Sequence, residues 1–164
     1  MTNNKINKSN QITQNLMYFG DYQTITVHQN WEPFFSLLAN ITFKITKKKQ
    51  QPFSISLVTK REIKKINKEW RNQNKVTDVI SFSFLENQQD KYLIGDIYIC
   101  VAFAKKNAKK NQHSLFYEVC LLFIHGLLHI LGYNHNNKKE QEVMFTLQEK
   151  ILKLGSINKD GKNK

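Results

Sequence analysis

A chain of 164 residues, 40% of them apolar, has the length of one domain with its own core and needs no disulfide staples. Its 25 Lys and Arg against 13 Asp and Glu give a formal charge of +12, which favours polyanions, nucleic acid above all. Only Arg61 and Arg71 are arginine and Asn is abundant, so part of that charge reflects a Lys- and Asn-rich composition of the kind an AT-rich coding bias produces.

Residues 1–20 are polar with little periodicity and are expected to form a flexible N-terminal segment; no apolar run follows Met1 that suits a signal-peptide core. From Tyr22 to His28 β-branched residues alternate, the pattern of a half-buried strand. Trp31 to about Lys47 places Phe34, Phe35, Leu38, Ile41 and Ile45 at helical spacing, and Phe53 to Thr59 alternates as a strand. A second helix over Lys60–Trp70 brings Ile63, Ile66 and Trp70 to one apolar face. Two more strands, Thr77–Phe84 and Tyr92–Cys100, flank the polar turn segment 86–91.

Helices are then expected over about 101–110, Ser114–Leu131 and Lys138–Leu154. Ser114 is the expected N-cap of the middle one, and Gly132 and Gly155 are natural stops. The order βαβαββααα predicts an α/β fold: a single-domain sandwich with a roughly four-stranded mixed sheet and about five helices, filling residues 21–155 and followed by a flexible tail over 156–164. The apolar stripe of the last helix, with Val143, Met144, Leu147, Ile151, Leu152 and Leu154, reads as core packing. Cys100 and Cys120 lie in apolar stretches without a second cysteine at metal or redox spacing, so both read as buried reduced thiols. The longest apolar stretch, Val119–Tyr133, carries two histidines and falls short of the roughly 20 residues that cross a bilayer. A soluble, cytoplasmic protein with no membrane partner is expected.

Three of the five histidines, His125, His129 and His135, fall within eleven residues. Residues i and i+4 share one helix face with Cβ atoms roughly 6 Å apart, so His125 and His129 can offer nitrogens to one ion. Gly132 ends the helix in a left-handed turn and lets His135 supply a third nitrogen. Three neutral nitrogens suit one Zn2+ ion at the end of a central helix, with a fourth position left for water, the arrangement of hydrolytic rather than structural zinc. Two unpartnered imidazoles amid so many Leu and Ile would otherwise be expensive to bury. Glu118, two turns before His125, is a candidate to orient a ligand or to favour the helix start; His113 and His28 lack metal spacing and read as surface or loop residues.

The spacing H-x-x-x-H-x-x-G-x-x-H equals that of the metzincin proteases, but Gly126 stands where their general-base Glu would be. The run His125-Gly126-Leu127-Leu128-His129-Ile130-Leu131-Gly132-Tyr133-Asn134-His135 instead resembles, with two substitutions, the H-G-x-L-H-L-x-G-Y-D-H signature of the YbeY endoribonucleases. Ile66-Asn67-Lys68-Glu69-Trp70-Arg71, Thr77-Asp78-Val79-Ile80-Ser81-Phe82 and Ile94-Gly95-Asp96-Ile97-Tyr98-Ile99-Cys100 are similar to three further blocks of that family in the same order. Three departures stand out: Asn134 for the family's Asp, Val76 for Pro before Thr77, and Ser83 for Pro after Phe82. The first removes a negative charge beside the site without removing a ligand.

The resemblance implies a metal-dependent, single-strand-selective endoribonuclease acting in 16S rRNA 3′-end maturation and ribosome quality control, with single-stranded RNA, rRNA and ribosomal particles as partners. It also implies Arg71 as the catalytic phosphate clamp, whose guanidinium fork donates twice to phosphate oxygens; the plainer role for Arg71 is an ion pair with Asp78 or Glu69. Asp78 and Asp96 read as structural. Two rivals remain: a non-catalytic, zinc-containing ribosome assembly factor, and a metzincin-like peptidase, which Gly126 disfavours.

Overall fold

The computed structural model describes residues 16–17, 31–85 and 93–161. Its elements are β1 (Leu16–Met17), α1 (Glu32–Thr46), β2 (Phe53–Val58), α2 (Lys60–Arg71), β3 (Val79–Ser83), β4 (Gly95–Cys100), α3 (Val101–Lys110), α4 (Leu115–Ile130) and α5 (Lys138–Leu154). The sheet runs β1-β2-β4-β3 and is mixed: β1 and β4 lie parallel to β2, whereas β3 lies antiparallel to β4 and forms an edge. This is the expected α/β sandwich. The strand expected over Tyr22–His28 lies outside the described residues, as do His28 and the turn segment 86–91; the two-residue β1 falls instead inside the stretch expected to fray, with Leu16 opposite Phe53.

The helix starts follow local chemistry. In α2 the Thr59 hydroxyl accepts from the Glu62 N–H and the Glu62 carboxylate accepts from the Thr59 N–H, a capping box. In α4 Ser114 accepts from the Tyr117 N–H at 3.1 Å, the expected cap.

The two faces of the sheet are unequally covered. On one, α4 is buried nearly all round, as a uniformly apolar helix must be. Phe123 packs against Phe35 of α1 and Phe53 of β2 with ring centroids 4.9 and 5.9 Å apart, and Leu127 and Leu128 are fully enclosed. On the other, α2 closes a small cluster of Val58, Ile63, Ile66, Ile80 and Cys100. Both cysteines are free and buried as expected, and burial pushes the Cys120 thiol up to about 12. No single helix among the described residues is long and apolar enough to cross a membrane.

Two expectations are corrected. Trp70 does not join the buried face of α2: it stands 73% exposed, with its ring against Phe82 of β3. Residues 156–161 do not fray, since Ile157 is buried in the main core and the Ser114 N–H donates to the Lys159 carbonyl at 2.7 Å. Gly155 stops α5 as expected; the left-handed residue after it is Ser156, at φ 56°, and a Cβ on Gly155 would lie 2.7 Å from Leu38 Cδ2, so close packing is what calls for glycine there.

Candidate metal centre

α4 carries His125 and His129 one turn apart and then ends in a Schellman motif. The Tyr133 N–H donates to the Leu128 carbonyl and the Gly132 N–H to the His129 carbonyl, both at 3.0 Å, with Gly132 at φ 92° as its sequence position predicts. The chain reverses there and brings His135 back over the helix end. Beyond it, the Asn137 side chain accepts from the Glu140 N–H at the start of α5, so the loop bearing His135 is fixed at both ends. One nitrogen from each of the three histidines falls within 4.8 Å of the others.

The hydrogen bonds around the rings fit a cation. His125 Nδ1 lies 2.8 Å from Gln148 Oε1, an acceptor, so the proton sits on Nδ1 and the Nε2 lone pair is free. The Asn134 side chain and the Tyr133 backbone hydrogen-bond the His129 ring. Its Nε2 then faces His125 Nε2 at 3.0 Å, close to the roughly 3.3 Å between two nitrogens bound tetrahedrally to one zinc ion. Two lone pairs facing at that distance repel unless a positive charge lies beside them. Burial lowers the pKa of both rings, His129 to about 4 with help from His125 and His135, so both are neutral at neutral pH, as ligation requires. The donor set therefore suits zinc.

Arg71, the last residue of α2, shares a cleft of about 480 Å³ with the three histidines, Asp78, Val79, Ile80, Ser81, Ser83 and Asn134. Consecutive residues of a strand point to opposite faces, so a run from Asp78 to Ser81 along one wall means that the cleft meets β3 at the edge that carries no further strand among the described residues. The histidines reach this edge from the α4 side of the sheet and Arg71 from the α2 side. Asn72 at φ 54° turns the chain just after Arg71, while buried Asn67 holds the following loop by donating from Nδ2 to the Lys75 carbonyl and accepting at its own main-chain carbonyl from the Gln73 N–H.

Among the described residues Arg71 makes no ion pair with Asp78 or Glu69, the plainer role open to it. The Asp78 carboxylate is taken up by Val79 N–H, the Thr77 hydroxyl and Asn107 Nδ2, and Glu69 lies by Lys65. Asp78 is thus structural, as expected, although it lines the cleft, and Asp96 accepts from the Ser54 hydroxyl. Ser83 donates its hydroxyl to the Ile130 carbonyl at 3.0 Å, tying β3 to a free carbonyl at the end of α4, which proline could not do.

Glu118 does not orient a ligand. It is buried against His113, with Glu118 Oε2 3.1 Å from His113 Nε2, and His113 is accordingly a buried partner rather than a surface residue. Burial raises the Glu118 pKa, while Asn107 and His113 act to lower it. The orienting role falls to Gln148 of α5, which the sequence reading passed over; its signal is a polar residue on a stripe otherwise made of Met144, Ile151 and Leu152. Gly126 faces the sheet, where a Cβ would lie 2.9 Å from Ile97 Cγ2. A general base at that position would point into β4 and away from the cleft, so the peptidase reading fails on geometry as well as on residue type.

Residues 19–155 match the sequence profile of the family described as Endoribonuclease YbeY. Proteins named Endoribonuclease YbeY from Ureaplasma urealyticum and Mesoplasma florum are each 39% identical, over 127 and 137 residues, covering 77% and 79% of this chain and 82% and 81% of theirs. The protein of that name from Phytoplasma australiense is 46% identical over 110 residues, 65% of this chain and 76% of its own. Among solved structures, the solution structure of a Thermotoga maritima protein superposes with a TM-score of 0.61 at 26% identity, covering 85% of this chain and 88% of that one.

Proposed function

The chain belongs to the YbeY family of endoribonucleases, and we propose that it is a zinc-dependent, single-strand-selective nuclease of the cytoplasm that matures the 3′ end of 16S rRNA and serves in ribosome quality control. As an endoribonuclease it cuts phosphodiester bonds within RNA. The finer reading rests above all on one observation: three imidazoles and one arginine without an ion-pair partner among the described residues converge on a single cleft of about 480 Å³, a volume suited to a nucleotide-sized group.

His125, His129 and His135 would hold one zinc ion, which when bound supplies Lewis-acid activation of water and of the phosphodiester. Gln148 keeps the His125 ring turned toward the ion by fixing its Nδ1 proton. Arg71 faces the site from the opposite wall, where its fork can grip two phosphate oxygens and stabilise charge that develops on them. The basic surface draws the RNA backbone in, consistent with the formal charge of +12. The proposed selectivity is tested by stripping the protein with a chelator, restoring zinc, and following cleavage of one RNA sequence as a single strand and as a duplex. Zinc-restored cutting of the single strand is expected; cutting that survives chelation, or that favours the duplex, contradicts the proposal.

A further inference from the structure

Directly before Arg71 stands Trp70, 73% exposed, in a chain whose other tryptophan, Trp31, is buried. An indole left in water at the end of a helix calls for a reason, because large aromatic side chains bury most of their surface when packing alone decides. This one is held rather than loose. Its ring meets Phe82 at 61° with centroids 6.2 Å apart, and Phe82 in turn meets Tyr98 at 72° and 6.2 Å. Phe82 lies on β3 between Ser81 and Ser83, both of which line the cleft. Trp70 therefore stands at the rim of the site, on the α2 side of the edge that the cleft follows.

Lys64, Lys68 and Arg71 are exposed within two turns of it on the same helix, while of the acids of α2 Glu62 is held in the capping box and Glu69 lies 3.8 Å from Lys65. Aromatic and cationic side chains interleaved in this way are what a single-stranded nucleic acid needs, a flat face for a base and positive charge for the backbone. A duplex keeps its bases stacked inside and cannot offer one to an indole at the surface.

We infer that Trp70 is a base-stacking platform, which receives an unpaired base of the RNA next to the phosphate held by Arg71 and so contributes to selection of single strands. The inference deepens the function proposed above and rests on it for the identity of the ligand. Stacking stabilises single-strand binding without any hydrogen bond to the base, so the platform accepts any base.

The test uses the metal-stripped full-length protein, so that binding is read without turnover. A short single-stranded RNA is titrated in while tryptophan emission is followed, alongside the same strand with abasic positions and the same strand annealed to its complement. The intact single strand is expected to quench emission, the abasic strand and the duplex much less. Trp70→Ala is expected to weaken single-strand binding roughly tenfold and leave duplex binding unchanged, with Trp70→Phe restoring most of the loss. Equal single-strand affinity for wild type and Trp70→Ala, or equal quenching by the abasic strand, would overturn the platform. Cleavage is scored separately on zinc-loaded wild type, so a protein that cut no RNA would count against the proposed nuclease while the quenching still decided the role of Trp70.

Discussion

The two sides of the sheet are built to different standards. On the α4 side a deep, aromatic-rich core encloses the helix that carries His125 and His129, and it admits that helix so closely that position 126 has no room for a Cβ. On the α2 side a handful of apolar residues suffices, and the end of the helix projects Trp70 and Arg71 into solvent. The cleft lies where the two meet, along the outer edge that β3 forms among the described residues. Under the proposed function the difference is a division of labour: the candidate metal ligands sit on the rigid side, and the side chains proposed to meet a flexible polyanion sit on the thinly packed one.

That contrast can be broken most severely at Gly126. Gly126→Glu would push a carboxylate into Ile97 of β4 and should destabilise the fold by at least about 3 kcal/mol, seen as a lower unfolding midpoint, with no peptidase activity gained. A mild effect on stability would mean that the α4 side is looser than described. Arg71→Ala, on the thin side, should leave the unfolding midpoint and zinc binding intact and reduce RNA turnover by about 100-fold or more; retained turnover would remove Arg71 from the mechanism.

Smaller changes sharpen the comparison. Gln148→Leu keeps the side chain's bulk but removes the acceptor from His125 Nδ1, so zinc affinity in a chelator competition should fall about tenfold while the fold persists. Asn134→Asp would restore a charge beside His129 and should tighten zinc binding by only a few-fold, since Asn134 already hydrogen-bonds that ring and is exposed. A change in the opposite direction would show that the amide is the better partner here.

The rigid side was the more legible one in the sequence. His125, His129, Gly132 and His135 could be read together because helical periodicity and a left-handed stop act over neighbouring residues, and the element order followed from equally local patterns. What local patterns could not show depends on packing between distant segments. Gln148 reaches His125 from a helix 23 residues away, Glu118 turns toward His113 rather than the site, and Gly126 is explained only by Ile97 on another element. Trp70 deceived for the converse reason: its spacing from Ile63 and Ile66 is helical, yet it stays 73% exposed with its ring against Phe82 of β3 instead of joining the buried cluster.

The central claim, that RNA is cut where the three histidines meet the edge of β3, is tested most directly by cleavage of a single-stranded RNA with zinc-loaded wild type and His129→Ala purified identically. Cleavage by the wild type that disappears in His129→Ala is the predicted result. Equal cleavage in both samples would contradict it by placing the activity outside this site, and absence of cleavage in both would favour a zinc-containing assembly factor that binds RNA without cutting it.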